Sequence, residues 1–133
     1  MSEAVTDTQL SPFLAFLGAR CQCNAQGEIE YHLQLQAQHL NAFGCAHGGL
    51  IQTLNDAAMA HTARALHQGQ KAVLTLQMQT YFLQADARLD AELIVKARAL
   101  HQSLTMAVCE AECFHGGQLI AKSSGQFKFT RLR

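Results

Sequence analysis

Charge is scarce in this sequence and neither sign is in excess: ten Lys and Arg meet ten Asp and Glu, so the net charge is zero. That balance removes the electrostatic footprint of a general nucleic-acid binder, and no nucleic-acid partner is expected. Only 15 % of the 133 residues are charged while 49 % are apolar, which excludes the composition of a disordered chain and supplies a core for one domain over residues 1–133. No apolar run approaches the roughly 18 residues of a membrane span. Glu3 and Asp7 stand where a secretory leader would place basic residues, so no membrane partner and no export are expected. Five cysteines (Cys21, Cys23, Cys45, Cys109 and Cys113) form no C-x-x-C pair and are odd in number, against both a disulfide framework and a zinc ribbon. A reducing cytoplasm is the expected location. The seven histidines contain no pair three or four apart, so no H-x-x-x-H helix face exists and no metal or other cofactor is expected.

What is present begins with Ser11-Pro12 ahead of Phe13, Leu14, Phe16 and Leu17, a capped short helix stopped by Gly18. Strand-like residues from Ala19 to Leu35 turn near Gly27, and Ile29, Tyr31, Leu33 and Leu35 alternate with polar neighbours, giving a half-buried hairpin. Residues 36 to 46 have neither period and read as a loop. From about His47 to Leu66 the sequence predicts a helix of about 30 Å, at 1.5 Å per residue. Leu50, Ile51, Leu54, Ala57, Ala58 and His61 form its stripe, and further alanines make it slim and apolar nearly all round, so that it needs enclosing.

Three strand-like segments follow, Ala72 to Leu83, Ala91 to His101 and Leu104 to Phe129, the last turning at Gly116-Gly117. A helix remains open for Ala91 to Leu100, where Ala, Glu and Lys are good helix formers. Two strands, one long helix and then more strands imply α+β with an antiparallel sheet, since parallel sheets need repeated helical crossovers.

The chemistry concentrates in Asn41-Ala-Phe-Gly44-Cys-Ala-His47-Gly48-Gly49 and Leu54-Asn-Asp56-Ala-Ala. Gly48 and Gly49 open the long helix, where unpaired backbone N–H groups meet the positive end of the helix dipole. Asp56 is a carboxylate in a helix otherwise built of Leu, Ile, Ala and Met, costly there unless used or paired. The spacing of Asn41, Gly44, His47, Gly48, Gly49, Leu54, Asp56 and Ala58 resembles the N-x-x-G-x-x-H-G-G-x(4)-L-x-D-x-A signature of hot-dog acyl-CoA thioesterases of the phenylacetyl-CoA type. Thr75 is similarly placed to the Ser or Thr that orients water on that family's strand after the helix. Where a proline usually ends that strand, this chain has Ala85. His115-Gly116-Gly117 repeats the triplet without its context and is expected to be a hairpin turn.

The resemblance implies a hot-dog fold, a long central helix wrapped by an antiparallel sheet, assembled as a homodimer or homotetramer with active sites at the subunit interface. It implies hydrolysis of an acyl-CoA or related thioester. Gly48 N–H would hold the thioester oxygen, Asp56 would act as general base or nucleophile, Asn41 and Thr75 would position water or the carboxylate, and His47 would hold the loop or the thioester. The alternatives are a hydratase or dehydratase of enoyl or hydroxyacyl thioesters, or a non-catalytic acyl-CoA binder, because fold alone does not establish activity. Residues 67–133 carry eight basic and five acidic groups, a positive excess that could meet the phosphates of coenzyme A.

Overall fold

The computed structural model describes residues 3–4, 10–26, 28–85 and 87–132. After a two-residue strand β1 (Glu3–Ala4), helix α1 (Pro12–Leu17) starts with Ser11 accepting the Leu14 N–H and stops at Gly18 in the left-handed region. Strands β2 (Arg20–Cys23) and β3 (Ile29–Gln34) pair as an antiparallel hairpin; the expected turn residue Gly27 lies outside the described residues. Residues 36–46 are more ordered than a plain loop: Ala37–His39 form one 3₁₀ turn, and Leu40 bridges Ala46.

Helix α2 (Gly48–Ala65) has His47 as its cap and is followed by β4 (Ala72–Phe82), β5 (Glu92–Gln102), β6 (Met106–His115) and β7 (Gln118–Thr130). The segment left open between helix and strand is strand β5, because it pairs on both sides, with β3 and with β6. Gly116 and Gly117 both have positive φ, +59° and +81°, as a two-residue hairpin turn requires, and link β6 to β7. The sheet runs β1-β2-β3-β5-β6-β7-β4, antiparallel at every pairing, with α2 across one face. This is the hot-dog arrangement.

Strict alternation drives the packing. Ala107, Cys109, Ala111 and Cys113 of β6 and Leu93, Val95 and Ala97 of β5 are all buried on the helix side, and their small volumes let Leu54, Ala58 and Met59 of α2 lie close. Burial pushes the Cys109 and Cys113 thiols up to about 11 and about 12, so both serve as small hydrophobes. The helix is not enclosed all round, however. Gln52, Thr53, Asp56, Ala57 and Ala60 remain partly exposed, and His61 is half-buried.

Of these, Gln52 and Asp56 lie against β4, the outermost strand beside β7, whose other edge has no partner among the described residues. Ala72 to Leu83 contains no charged residue, and Leu74, Leu76, Tyr81, Phe82 and Leu83 are exposed. A long, uncharged, apolar edge invites pairing with another strand.

At the far end of α2, His61 Nδ1 lies 3.1 Å from the Tyr31 hydroxyl oxygen and 3.4 Å from Cys21 Sγ. Burial, helped by the nearby Arg64 cation, pulls the His61 pKa down to about 4, while burial pushes Cys21 up to about 11 and Tyr31 further still. All three groups are therefore neutral at pH 7. Above about pH 6.5 the imidazole is neutral in both folded and unfolded chains; between there and pH 4 the unfolded chain takes a proton that the folded one refuses. Stability is thus expected to fall as pH drops through that window. Melting curves across it should show the decline, and a His61→Leu variant should show a shallower one.

Candidate active site

The approach to α2 is organised by Asn41. Its Oδ1 accepts the N–H groups of Phe43 (2.9 Å) and Cys45 (3.0 Å), its own N–H donates to Cys45 O (2.7 Å), and its carbonyl accepts from Gly44 N (3.0 Å). An Asn does this because a short carboxamide can imitate a backbone turn. With the oxygen occupied, only Nδ2 remains to reach outward. The loop is tied down by buried His39, whose Nδ1 accepts the Gln36 N–H and whose Nε2 donates to Leu17 O on α1, 2.9 Å in each case.

His47 then decides which helix donor is left over. The first four N–H groups of a helix lack intrahelical partners. Here the His47 carbonyl accepts from Leu50 N and Ile51 N, and His47 Nδ1 accepts from Gly49 N at 2.8 Å. Gly48 N–H alone of the four has no acceptor among the described residues, and it sits at the positive end of an 18-residue helix. The His47 ring is thus a cap on the turn, with its Nδ1 engaged. A Cβ on Gly48 would rest 3.5 Å from the Phe82 ring, so this donor lies against the end of β4.

Asp56 is half-buried two turns further on, and Thr75 Oγ1 donates to its Oδ1 at 2.8 Å. Thr75 comes from β4, and a bulge places it. The β4–β7 register slips between Thr75 and Gln77, so the extra residue, Leu76, changes the parity of the strand. Odd-numbered Thr75 therefore shares the helix-facing side with even-numbered Thr80 and Phe82, which meet Gln52 and Gly48.

Helix α2 consequently runs antiparallel to β4, and Gly48, Gln52 and Asp56 form one stripe at four-residue spacing along it. Within the chain, then, Asp56 and Thr75 are brought together. His47 and Gly48 lie about 12 Å away along the helix, at 1.5 Å per residue, and Asn41 bonds within the loop that precedes them. A carboxylate at that distance cannot reach a carbonyl held at Gly48.

A polar chain that no sequence motif marks lies between these two groups. Asn55 is fully buried and its Nδ2 donates to Ser123 Oγ (2.7 Å); Ser123 lies 2.7 Å from Thr80 Oγ1, and Thr80 donates to Gln52 Oε1. The available signal was an amide at the buried position one turn after Ile51 and one turn before Met59. Two positive charges noted in the C-terminal half are held by acids on the outer face, Arg98 by Glu110 and Lys122 by Glu110 (3.8 Å) and Glu112 (4.0 Å). Lys71 and Lys96 lie over the rings of Phe129 and Phe114, and Arg88 donates to His115 O. On the neighbouring face of α2, an apolar cleft of about 240 Å³ opens between Phe13, Leu17, Leu40, Leu50, His47 and Gly49.

No helix among the described residues is long and apolar enough to cross a membrane. Residues 43–122 match the family model described as the thioesterase superfamily. The chain is 30 % identical over 118 residues to the Pseudomonas aeruginosa protein PA0474, covering 88 % of this chain and 87 % of that one. It is 28 % identical to human acyl-coenzyme A thioesterase 13, over 74 % of this chain and 70 % of that protein. A mutant of phenylacetic acid degradation protein PaaI from Thermus thermophilus superposes with a TM-score of 0.79 at 26 % identity, covering 92 % of this chain and all of that one. A free amide donor at the head of a central helix, a hydroxyl-bound carboxylate two turns along it and this match over most of the chain lead to one assignment: the protein belongs to the thioesterase superfamily and is a thioester hydrolase.

Proposed function

We propose that the protein hydrolyses acyl-CoA thioesters at a site shared between two copies of the chain, with Gly48 N–H from one and Asp56 from the other. The observation that carries this is the separation of the two groups on one helix stripe. If two β4 edges pair antiparallel about a two-fold axis near the middle of the strand, α2 and its copy also run antiparallel. The Gly48 end of one then comes beside the Asp56 end of the other. The same pairing covers the apolar edge and the half-exposed face of α2, which supplies the driving force. A homodimer is the minimal assembly, and two such dimers can form a tetramer. Five free cysteines suit a reducing cytoplasm.

At this site the thioester oxygen accepts from Gly48 N–H, and the helix dipole stabilises the negative charge that develops on it. A single such donor contributes about 3 to 4 kcal/mol in the transition state. Asp56, oriented through Oδ1 by Thr75, uses its other oxygen either to take a proton from the attacking water or to attack the carbonyl itself. In the first route the hydroxyl adds to the carbonyl carbon, the C–S bond breaks as the tetrahedral adduct collapses, and the thiolate leaves with the proton that Asp56 held; in the second, the C–S bond breaks to release the thiolate and leave an acyl–Asp56 anhydride, which water hydrolyses to the acid and the free carboxylate. Asn41 Nδ2 is available to position water or substrate at the loop. The hydratase or dehydratase alternative requires a histidine acid or base, and the capping role of His47 Nδ1 weighs against it.

Asp56→Asn is expected to remove turnover while preserving fold and assembly, since the amide keeps the Thr75 hydrogen bond but neither takes a proton nor attacks. Thiol-release assays beside circular dichroism check this, and near-wild-type rates in the folded variant would remove Asp56 from the chemistry. Mixing inactive Gly48→Pro and Asp56→Asn chains should restore part of the activity, because a heterodimer retains one complete site. A protein that sediments as an active monomer would rule out the shared site. Turnover should also survive exhaustive chelation, because His, Cys, Asp and Glu form no cluster able to hold a metal among the described residues.

A further inference from the structure

The stripe that carries Gly48 and Asp56 has a third member midway between them. Gln52 lies one turn, about 6 Å, from each, half-buried, with its Oε1 taking the Thr80 hydroxyl proton. We propose that Gln52 is a specificity-determining residue of the thioesterase site, its outward carboxamide N–H donating to an oxygen carried on the acyl group near the thioester. This rests on the acyl-CoA reading above and names the class of acyl group: 3-hydroxy- or 3-oxoacyl rather than plain saturated chains.

The direction of the hydrogen bonds carries the inference. A glutamine side chain presents either an acceptor or a donor, and the two ends have nearly the same shape. Here Thr80 donates its one proton to Gln52 Oε1, so in its 2.7 Å contact with Ser123 it is the acceptor, and Ser123 accepts in turn from Asn55 Nδ2. Each hydroxyl has one proton to give, so the chain runs one way and polarises along its length. Only the NH₂ end of Gln52 is left, and no described residue accepts from it.

The chain is also costly. Asn55 is fully buried with its Oδ1 unpartnered among the described residues, where an apolar residue would have packed without that penalty. A polar relay kept in the core at such a cost, ending on an amide between the oxyanion donor and the carboxylate, fits a group that reads the substrate. The proposal requires the acyl chain of a thioester bound at Gly48 to run along the helix stripe, which brings an oxygen two carbons from the carbonyl to the next turn, where Gln52 stands.

The experiment compares kcat/KM for 3-hydroxyacyl- and 3-oxoacyl-CoA with the saturated acyl-CoA of the same carbon number, over a range of chain lengths, in the assembled wild type, Gln52→Leu, Thr80→Val and the double variant. Wild type is expected to favour the oxygenated member by about three- to tenfold, the range of one net hydrogen bond. Gln52→Leu should abolish that preference. Thr80→Val, a positioning change on the strand, should also lower the ratio because the amide is freed to turn over, and the double variant should fall no further than Gln52→Leu alone. Wild type without preference, or an unchanged ratio in either folded variant, overturns the role of Gln52 while leaving the hydrolase reading intact. A Gln52→Leu protein with an unchanged ratio but a weakened dimer would likewise overturn it and make Gln52 an interface residue. Should Gln52→Leu fail to fold, Thr80→Val decides by the same ratio. Failure of wild type to cleave any acyl-CoA would instead overturn the acyl-CoA reading, and this inference with it.

Discussion

The antiparallel seating of α2 against the edge strand β4 is the constraint on which the site depends. It puts the amide donor of Gly48 against one end of the strand and the carboxylate of Asp56 against the other. Neither group can change its position without moving a whole helix packed on the sheet by Leu54, Ala58 and Met59. Rigid placement suits oxyanion stabilisation, because a donor already aimed at the developing charge needs no reorganisation during reaction.

Small features refine that placement. His47 takes one helix N–H and presents two others with its carbonyl, which isolates the Gly48 donor. The bulge at Leu76 then turns Thr75 toward Asp56 while keeping Thr80 and Phe82 on the same side. A regular strand would send Thr75 to the opposite face, because side chains alternate with period two. One inserted residue therefore decides whether the carboxylate has a partner.

Two polar networks within the fold contrast. Around His61, burial holds imidazole, phenol and thiol in their neutral forms, a self-contained cluster between α2 and the hairpin. The relay from Asn55 through Ser123 and Thr80 instead leads out of the core to the half-exposed face of α2, ending at Gln52. The first closes on itself; the second delivers an orientation to a surface.

Much of the architecture was legible because local patterns are strong here. Ser11-Pro12 and Gly18 bound α1, period-two burial marks β6, and the Gly116-Gly117 pair marks its hairpin. The spacing from Asn41 to Ala58 drew attention to the loop and the helix. The sequence by itself determined that a slim helix opened by glycine would carry a carboxylate two turns in, since that is a matter of counting residues along 3.6 per turn. Only the tertiary structure decided that Asp56 meets Thr75 and not Gly48, that His47 caps the helix, and that Asn55 speaks to Gln52 through residues 68 and 25 positions later in the chain. Those pairings follow from strand register, a bulge and helix direction. No periodicity encodes them, because they relate residues distant in sequence through the packing of one element on another.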